Sequence, residues 1–262
     1  MTLKIKDPGS ALTHFIAMIL ALGASSPLII KAARTPGYTH VLPLAIFITS
    51  MILLYAASTI YHTLDISPTV NQILRKVDHM MIFILIAGTY TPVCVLVLGD
   101  KTGWSLLALV WGIAIAGMII NALWITCPKW VSSLIYIAMG WVCVLAFGKI
   151  TAALPKSAFI WLLTGGIIYT VGGIIYALKL PIFNARFKYF GSHEIFHLFV
   201  MGGSLCHYIM MYAFVAWPPS RPGSSSQKDC RDSISFSFSA LLSCFTAHSR
   251  CMACCFVSKV SQ

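Results

Sequence analysis

The stretch SHEIFHLFV, residues 192–200, sets His193 and His197 four residues apart, with Glu194 beside the first. On a helix, side chains at i and i+4 share one face, a turn apart. Two imidazoles so placed can hold one metal ion, and H-E-x-x-H with the glutamate as general base is the zinc-protease pattern. Two further stretches carry polar groups of the same kind. STIYH, residues 58–62, puts Ser58 one turn before His62, and RKVDHMMIF, residues 75–83, contains Asp78 and His79.

These groups sit in an unusual chain. Of 262 residues, 58% are hydrophobic and 10% are charged. A water-soluble domain carries about 25% charged residues, so this chain has too little polar surface to coat a soluble particle. Seven apolar segments reach the ~20 residues needed to cross a bilayer as helix. They are residues 11–33, 40–62, 77–98, 103–123, 130–150, 157–179 and 192–216. The fold class expected is all-α, an integral membrane bundle of seven transmembrane helices, with Pro27 and Pro92 inside spans where kinks are tolerated. The net charge of +11 is spread singly between apolar runs. That argues for anionic headgroups and against nucleic acid as the electrostatic partner. Lys4, Lys6, Arg75, Lys76, Lys129, Lys179, Arg186 and Lys188 fall on one side, and Lys31, Arg34, Lys101, Lys149 and Lys156 on the other. The positive-inside rule then puts the N-terminus in the cytoplasm. The first span resembles a signal peptide, with ALGASS as a cleavage site, but its apolar run is long for one and six more spans follow.

On this topology the second span ends at His62, Asp78 opens the third, and His193 opens the seventh with His197 one turn deeper. All therefore fall at one depth, in the cytoplasmic leaflet. His62, His193 and His197 can hold Zn²⁺ with a fourth position left for water, whose pKa zinc lowers to about 7. Asp78 is placed to orient that water or take its proton, and Ser58 to hydrogen-bond it or a developing oxyanion. His79 and Glu194 are the reserve ligand and base. His14 and His40 read as interfacial residues, and His207 as a packed polar residue deep in its span. A protease of this type also needs a carboxylate ligand downstream, and after His197 the next acidic residue is Asp229. That argues against a protease, although Asp78 could take the place. In span six, GGIIYTVGGIIY, residues 165–176, stacks small residues along one stripe suited to close helix packing.

STIYH, VDHMMIFILIAGTYTP at 77–92, SHEIFHLFVMGGSLCHY at 192–208 and SALTH at 10–14 resemble the haemolysin III family. That family is the bacterial branch of the progestin and adipoQ receptor superfamily, and the resemblance covers residues 5–216. It implies seven helices with the N-terminus inside, in a bacterial plasma membrane. It also implies zinc held by His62, His193 and His197, with Asp78 and Ser58 beside the bound water. Glu194 is then incidental. Eukaryotic relatives are linked to ceramide hydrolysis, so the resemblance implies a lipid amide hydrolase with a ceramide-like substrate. The haemolysin name implies instead a cytolytic or channel-like protein, and a zinc-stabilised lipid sensor is a third reading. Residues 217–262 depart from the pattern. They are rich in Ser and hold five of the nine cysteines, and read as a disordered or non-native extension of the bundle at 1–216. Cys94, Cys127, Cys143 and Cys206 read as small apolar fillers.

Overall fold

The computed structural model describes residues 5–124, 129–178 and 191–216, and these are all helix, turn or loop with no strand. Helix α1 covers Pro8–Ala33 and α2 Val41–Thr63. Helix α3 covers Pro68–Pro92 and continues as a π-helical stretch, Val93–Leu98. Helix α4 is Lys101–Leu123, α5 Lys129–Gly140, α6 Phe147–Ala153, α7 Lys156–Leu178 and α8 Ser192–Met210. A 3-10 stretch, Trp141–Ala146, joins α5 to α6 into one crossing. Among the described residues, seven helical stretches are thus long and apolar enough to cross a membrane. Large apolar side chains such as Leu12, Ile30, Ile119, Leu145 and Ile167 remain exposed around the bundle. A helix apolar on every side suits lipid outside and packed protein inside. The tail, with its cysteines, and Cys127 lie outside the described residues.

Helices α2 and α3 pack closely, as do α7 and α8, and α1 lies against both α2 and α8. The start of α1, the end of α2 and the start of α8 meet at one end of the bundle. There the Asp7 N–H donates to the His62 carbonyl at 2.9 Å. Away from that end the core is filled by Leu28, Leu44, Phe47, Phe83 and Met210. The three described cysteines Cys94, Cys143 and Cys206 are free, and two of them are buried.

Two elements differ from the sequence-based expectation. Helix α3 starts at Pro68, not near residue 77, so Asp78 lies in its third turn and does not open it. The Ser67 side chain accepts from the Val70 N–H at 3.3 Å, and Pro68 stands at the first helical position. This is a start signal independent of apolarity, and the polar residues after it extend the helix beyond its apolar run. The fifth span is not one helix. After Gly140 the backbone tightens, and the Tyr90 hydroxyl takes up what the α-helical ladder gives away. It donates to the Gly140 carbonyl at 2.6 Å and accepts from the Cys143 N–H at 2.8 Å. Irregular backbone at membrane depth persists where protein satisfies it in this way.

The glycines of span six serve packing, with one exception. A Cβ on Gly165 would fall 2.5 Å from the His207 ring, one on Gly172 2.6 Å from Phe199, and one on Gly173 3.2 Å from Ile137, whereas Gly166 has nothing within 4 Å. Gly165→Ala should therefore cost about 1–3 kcal/mol of stability, the usual range for overpacking. Gly166→Ala should cost none, and thermal unfolding of the two variants in detergent compares them.

At the opposite end, Asp100 precedes α4. Its carboxylate accepts from Lys149 Nζ at 2.6 Å and from the Gly103 N–H at 2.9 Å. The lysine contact first, then the helix amide, holds this carboxyl below the usual carboxylate range. A depressed folded-state pKa means that the contribution is present above the unfolded value of about 3.9 and is lost as pH falls through the folded one. Asp100→Asn should keep the cap and lose this acid-limb dependence. Asp100→Ala should lose both, as thermal melts between pH 7 and the acid limb would show.

Candidate metal centre

The last turn of α2 and the first two turns of α8 bring His62, His193 and His197 together. One ring nitrogen from each lies within 4.8 Å of the others. His62 and His197 are 3% and 2% exposed. Nε2 of His62 and Nε2 of His193 face each other at 3.2 Å. Tetrahedral coordination at 2.0–2.1 Å would set two nitrogens about 3.3 Å apart, so this pair already has the separation that a shared ion requires. The expected ligand triad is thus assembled as a cluster of donors.

The Nδ1 nitrogens of His62 and His197 have partners. His62 Nδ1 lies 3.0 Å from Asp7 Oδ2. His197 Nδ1 lies 3.1 Å from Thr13 Oγ1, whose own proton goes to the Ser10 carbonyl at 2.9 Å. With its proton committed, the Thr13 hydroxyl can only accept. His197 therefore carries its hydrogen on Nδ1 and leaves the Nε2 lone pair uncommitted. A carboxylate or neutral acceptor behind a histidine is the usual support of a metal-binding imidazole. The residues present fit a metal ion.

Several expectations change. His14 is not an interfacial residue. It is 3% exposed and stacks on His197 with centroids 3.6 Å apart and planes 8° from parallel. Neither of its nitrogens has a hydrogen-bond partner among the described residues. Its position on the buried face of α1, beside Thr13, placed it there, and apolar periodicity alone could not separate that face from the lipid face. Glu194 is engaged elsewhere: one carboxylate oxygen accepts from the Ser10 hydroxyl and the other from the Gly191 N–H at 2.8 Å. It therefore caps α8 and ties it to α1. His79 turns away from the triad, with Nδ1 2.7 Å from the Arg75 carbonyl and Nε2 3.1 Å from the Tyr176 hydroxyl. His207 is buried as expected, with Nε2 3.2 Å from the Leu162 carbonyl. Asp7 and Thr13 were not singled out from the sequence. The available signal was an aspartate three residues ahead of SALTH and the threonine within it, on the helix that carries His14.

Ser58, Asp78, His193 and His197 all line one cavity, with about 1670 Å³ of empty space including its open mouth. The Ser58 hydroxyl is buried and lies beside the Asp78 carboxyl. Beyond this polar end the lining is almost wholly apolar, with Leu85, Ile86, Val93, Phe147, Ile150 and Leu162 among it. Along α3 it extends from Asp78 to Val93, about 22 Å of helix at ~1.5 Å per residue. Gly140, Trp141 and Cys143, at the break in the fifth span, form part of the wall. The arrangement is a cluster of imidazoles, a carboxylate and a hydroxyl at the head of a long apolar slot.

Comparison with known proteins agrees with this architecture. The family profile described as "Haemolysin-III related" matches residues 3–208. The chain is similar to Hemolysin-3 of Bacillus cereus, 37% identical over 217 residues, covering 82% of this chain and 94% of that protein. It is also similar to the Hemolysin-3 homolog of Bacillus subtilis strain 168, 36% identical over 199 residues, covering 76% and 89%. A shorter stretch of 50 residues is 38% identical to the ADIPOR-like receptor IZH2 of Saccharomyces cerevisiae, covering 18% of this chain and 16% of that protein. With seven membrane-length helices and a family match along nearly the whole bundle, the chain is a multi-pass integral membrane protein that belongs to the haemolysin III family.

Proposed function

We propose that the protein is a zinc-dependent hydrolase of an amide-linked, ceramide-like membrane lipid, working in the cytoplasmic leaflet of a bacterial plasma membrane. The observation that carries this reading is the three-histidine cluster, of which His193 and His197 line the polar end of a long apolar cavity. His62, His193 and His197 would hold the ion. Bound Zn²⁺ supplies Lewis acidity and lowers the pKa of a coordinated water to about 7. The protein's own groups do the rest. Asp78 takes the proton of the attacking water, whose oxygen bonds to the acyl carbon. The C–N bond breaks, and Asp78 returns that proton to the departing amine. The Ser58 hydroxyl donates to the carbonyl oxygen as charge develops on it. The apolar slot holds the acyl chain and keeps bulk water from it. Amide specificity follows from the family resemblance, and the leaflet from the eight-to-five distribution of basic residues.

Metal content of the detergent-purified protein tests the ion first. About one zinc per chain is expected, lost in His62→Ala and in His193→Ala. A wild-type chain without zinc overturns the hydrolase reading. Release of fatty acid from ceramide-type lipids should then disappear on chelation and return with added zinc. Ser58→Ala should lower the rate about 10²-fold, the cost of removing one oxyanion donor, with zinc retained.

Glu194 separates this reading from a protease. With both oxygens spent on Ser10 and Gly191, Glu194→Gln should lower stability by about 1 kcal/mol, the worth of one hydrogen bond. Lipid hydrolysis per folded molecule should survive it. Loss of turnover at unchanged zinc content and stability would restore the glutamate as a base.

The name Hemolysin-3 carried by the Bacillus cereus relative favours a second reading, a protein that permeabilises membranes. The almost wholly apolar cavity lining weighs against an aqueous pore. Dye release from liposomes by purified protein, insensitive to zinc removal, would support the second reading.

A further inference from the structure

Asp7 stands at the N-cap of α1, yet its side chain caps nothing. Aspartate at that position ordinarily accepts from an amide of the first turn. Here Oδ2 is directed at Nδ1 of His62, at 3.0 Å. The backbone reinforces the direction: the Asp7 N–H donates to the His62 carbonyl at 2.9 Å, and the Lys6 N–H to the Thr63 carbonyl at 3.4 Å. The start of α1 is thus strapped to the end of α2, with the carboxylate held behind one imidazole. Two turns later Thr13 does the same for His197. Its hydroxyl spends its proton on the Ser10 carbonyl and offers only a lone pair to Nδ1. The docking of α1 onto α8 has a separate polar tie, between Ser10 and Glu194.

We propose that Asp7 and Thr13 are the positioning residues of the metal centre. Each takes the Nδ1 hydrogen of one histidine and so presents Nε2, unprotonated and correctly turned, to the ion. Helix α1 contributes no ligand from its own backbone or side chains in this arrangement. It is a bracket that sets the tautomer of one ligand on α2 and one on α8, and the D-x5-T spacing of DPGSALT is its sequence mark. The inference rests on the metal reading above. It adds that two residues outside the ligand set govern how tightly the ion is held.

The test uses the full-length protein in detergent, with Asp7→Ala, Asp7→Glu, Thr13→Val and Thr13→Ser. Zinc affinity is read by competition with a chelator, ligand geometry by the visible spectrum of the Co²⁺-loaded protein, and tautomer by imidazole ¹⁵N NMR of the metal-free protein. Asp7→Ala removes no cap, and Thr13→Val keeps the shape of the side chain. Each should weaken zinc about 10–100-fold, the usual cost of losing such support. The ¹⁵N signals of His62 or His197 should then move from the Nδ1–H form to a mixture. Asp7→Glu and Thr13→Ser should recover most of the affinity. Wild-type affinity and unchanged ¹⁵N signals in Asp7→Ala and Thr13→Val overturn the proposal while leaving the metal centre standing. Equal losses in the conservative variants also overturn it, because damage to packing rather than a lost acceptor would be the cause. A wild-type chain that binds neither zinc nor Co²⁺ overturns the metal centre and this inference together.

Discussion

A polar group buried in a bundle that faces lipid has no water to fall back on, so protein must satisfy it or it must have a task. An unpaired buried donor or acceptor costs about 1–3 kcal/mol. The end of the bundle where α1, α2 and α8 meet is organised by this constraint. Glu194, Ser10, Thr13 and His197 are joined through a short chain of hydrogen bonds, and His62 pairs separately with Asp7 at the rim. What this network leaves unpaired is as informative as what it pairs. Both nitrogens of His14 are buried without partners among the described residues, and His14 lines the same cavity as His193 and His197. Such orphans are rare in native proteins and concentrate where a ligand, ion or water belongs.

The same constraint shapes the apolar slot. A cavity needs walls, and a straight fifth helix would supply a different one. The chain instead breaks at Gly140 and tightens through Trp141–Ala146, with the Tyr90 hydroxyl bridging the Gly140 carbonyl and the Cys143 N–H. A tyrosine on α3 thereby makes an irregular turn tolerable at membrane depth and lets Trp141, Cys143 and Val144 line the space that Asp78 and His193 head. On α8, Gly203 admits the Tyr169 ring, as Gly165 on α7 admits His207. Small residues here make room for large side chains that border the cavity, in addition to drawing helices together.

Glu194 illustrates how a motif and its chemistry separate. H-E-x-x-H suggests a base next to two ligands, yet the glutamate faces the helix terminus. It closes the first turn of α8 and holds Ser10. A carboxylate at a helix N-terminus is favoured by the amides it meets there, and that is sufficient reason for its presence. Asp7 shows the converse, an aspartate at a helix N-terminus that leaves the amides and serves a histidine.

Much of this was legible in the chain itself. Apolar runs of bilayer length, separated by short polar connections, determine seven helices, because a continuous apolar run of about 20 residues satisfies its own backbone groups in lipid as a helix. The i,i+4 spacing of His193 and His197 determines that they share a face, and antiparallel order puts His62 at their end of the bundle. Where apolarity was the only guide the limits show. The polar first turns of α3 hide its start from an apolarity reading, and the break after Gly140 leaves no local signal because its stabilising hydroxyl comes from residue 90. The partners of each imidazole were decided by tertiary structure alone. His14 could be assigned to core or interface only once α1 was seen against α8, since an all-round apolar helix gives no facing signal. Asp7 and Thr13 acquire their roles from residues 55 and 184 positions away. Local sequence dictates helices and the faces of helices. Which ring nitrogen carries a hydrogen depends on an acceptor from a distant segment, and only the folded bundle supplies it.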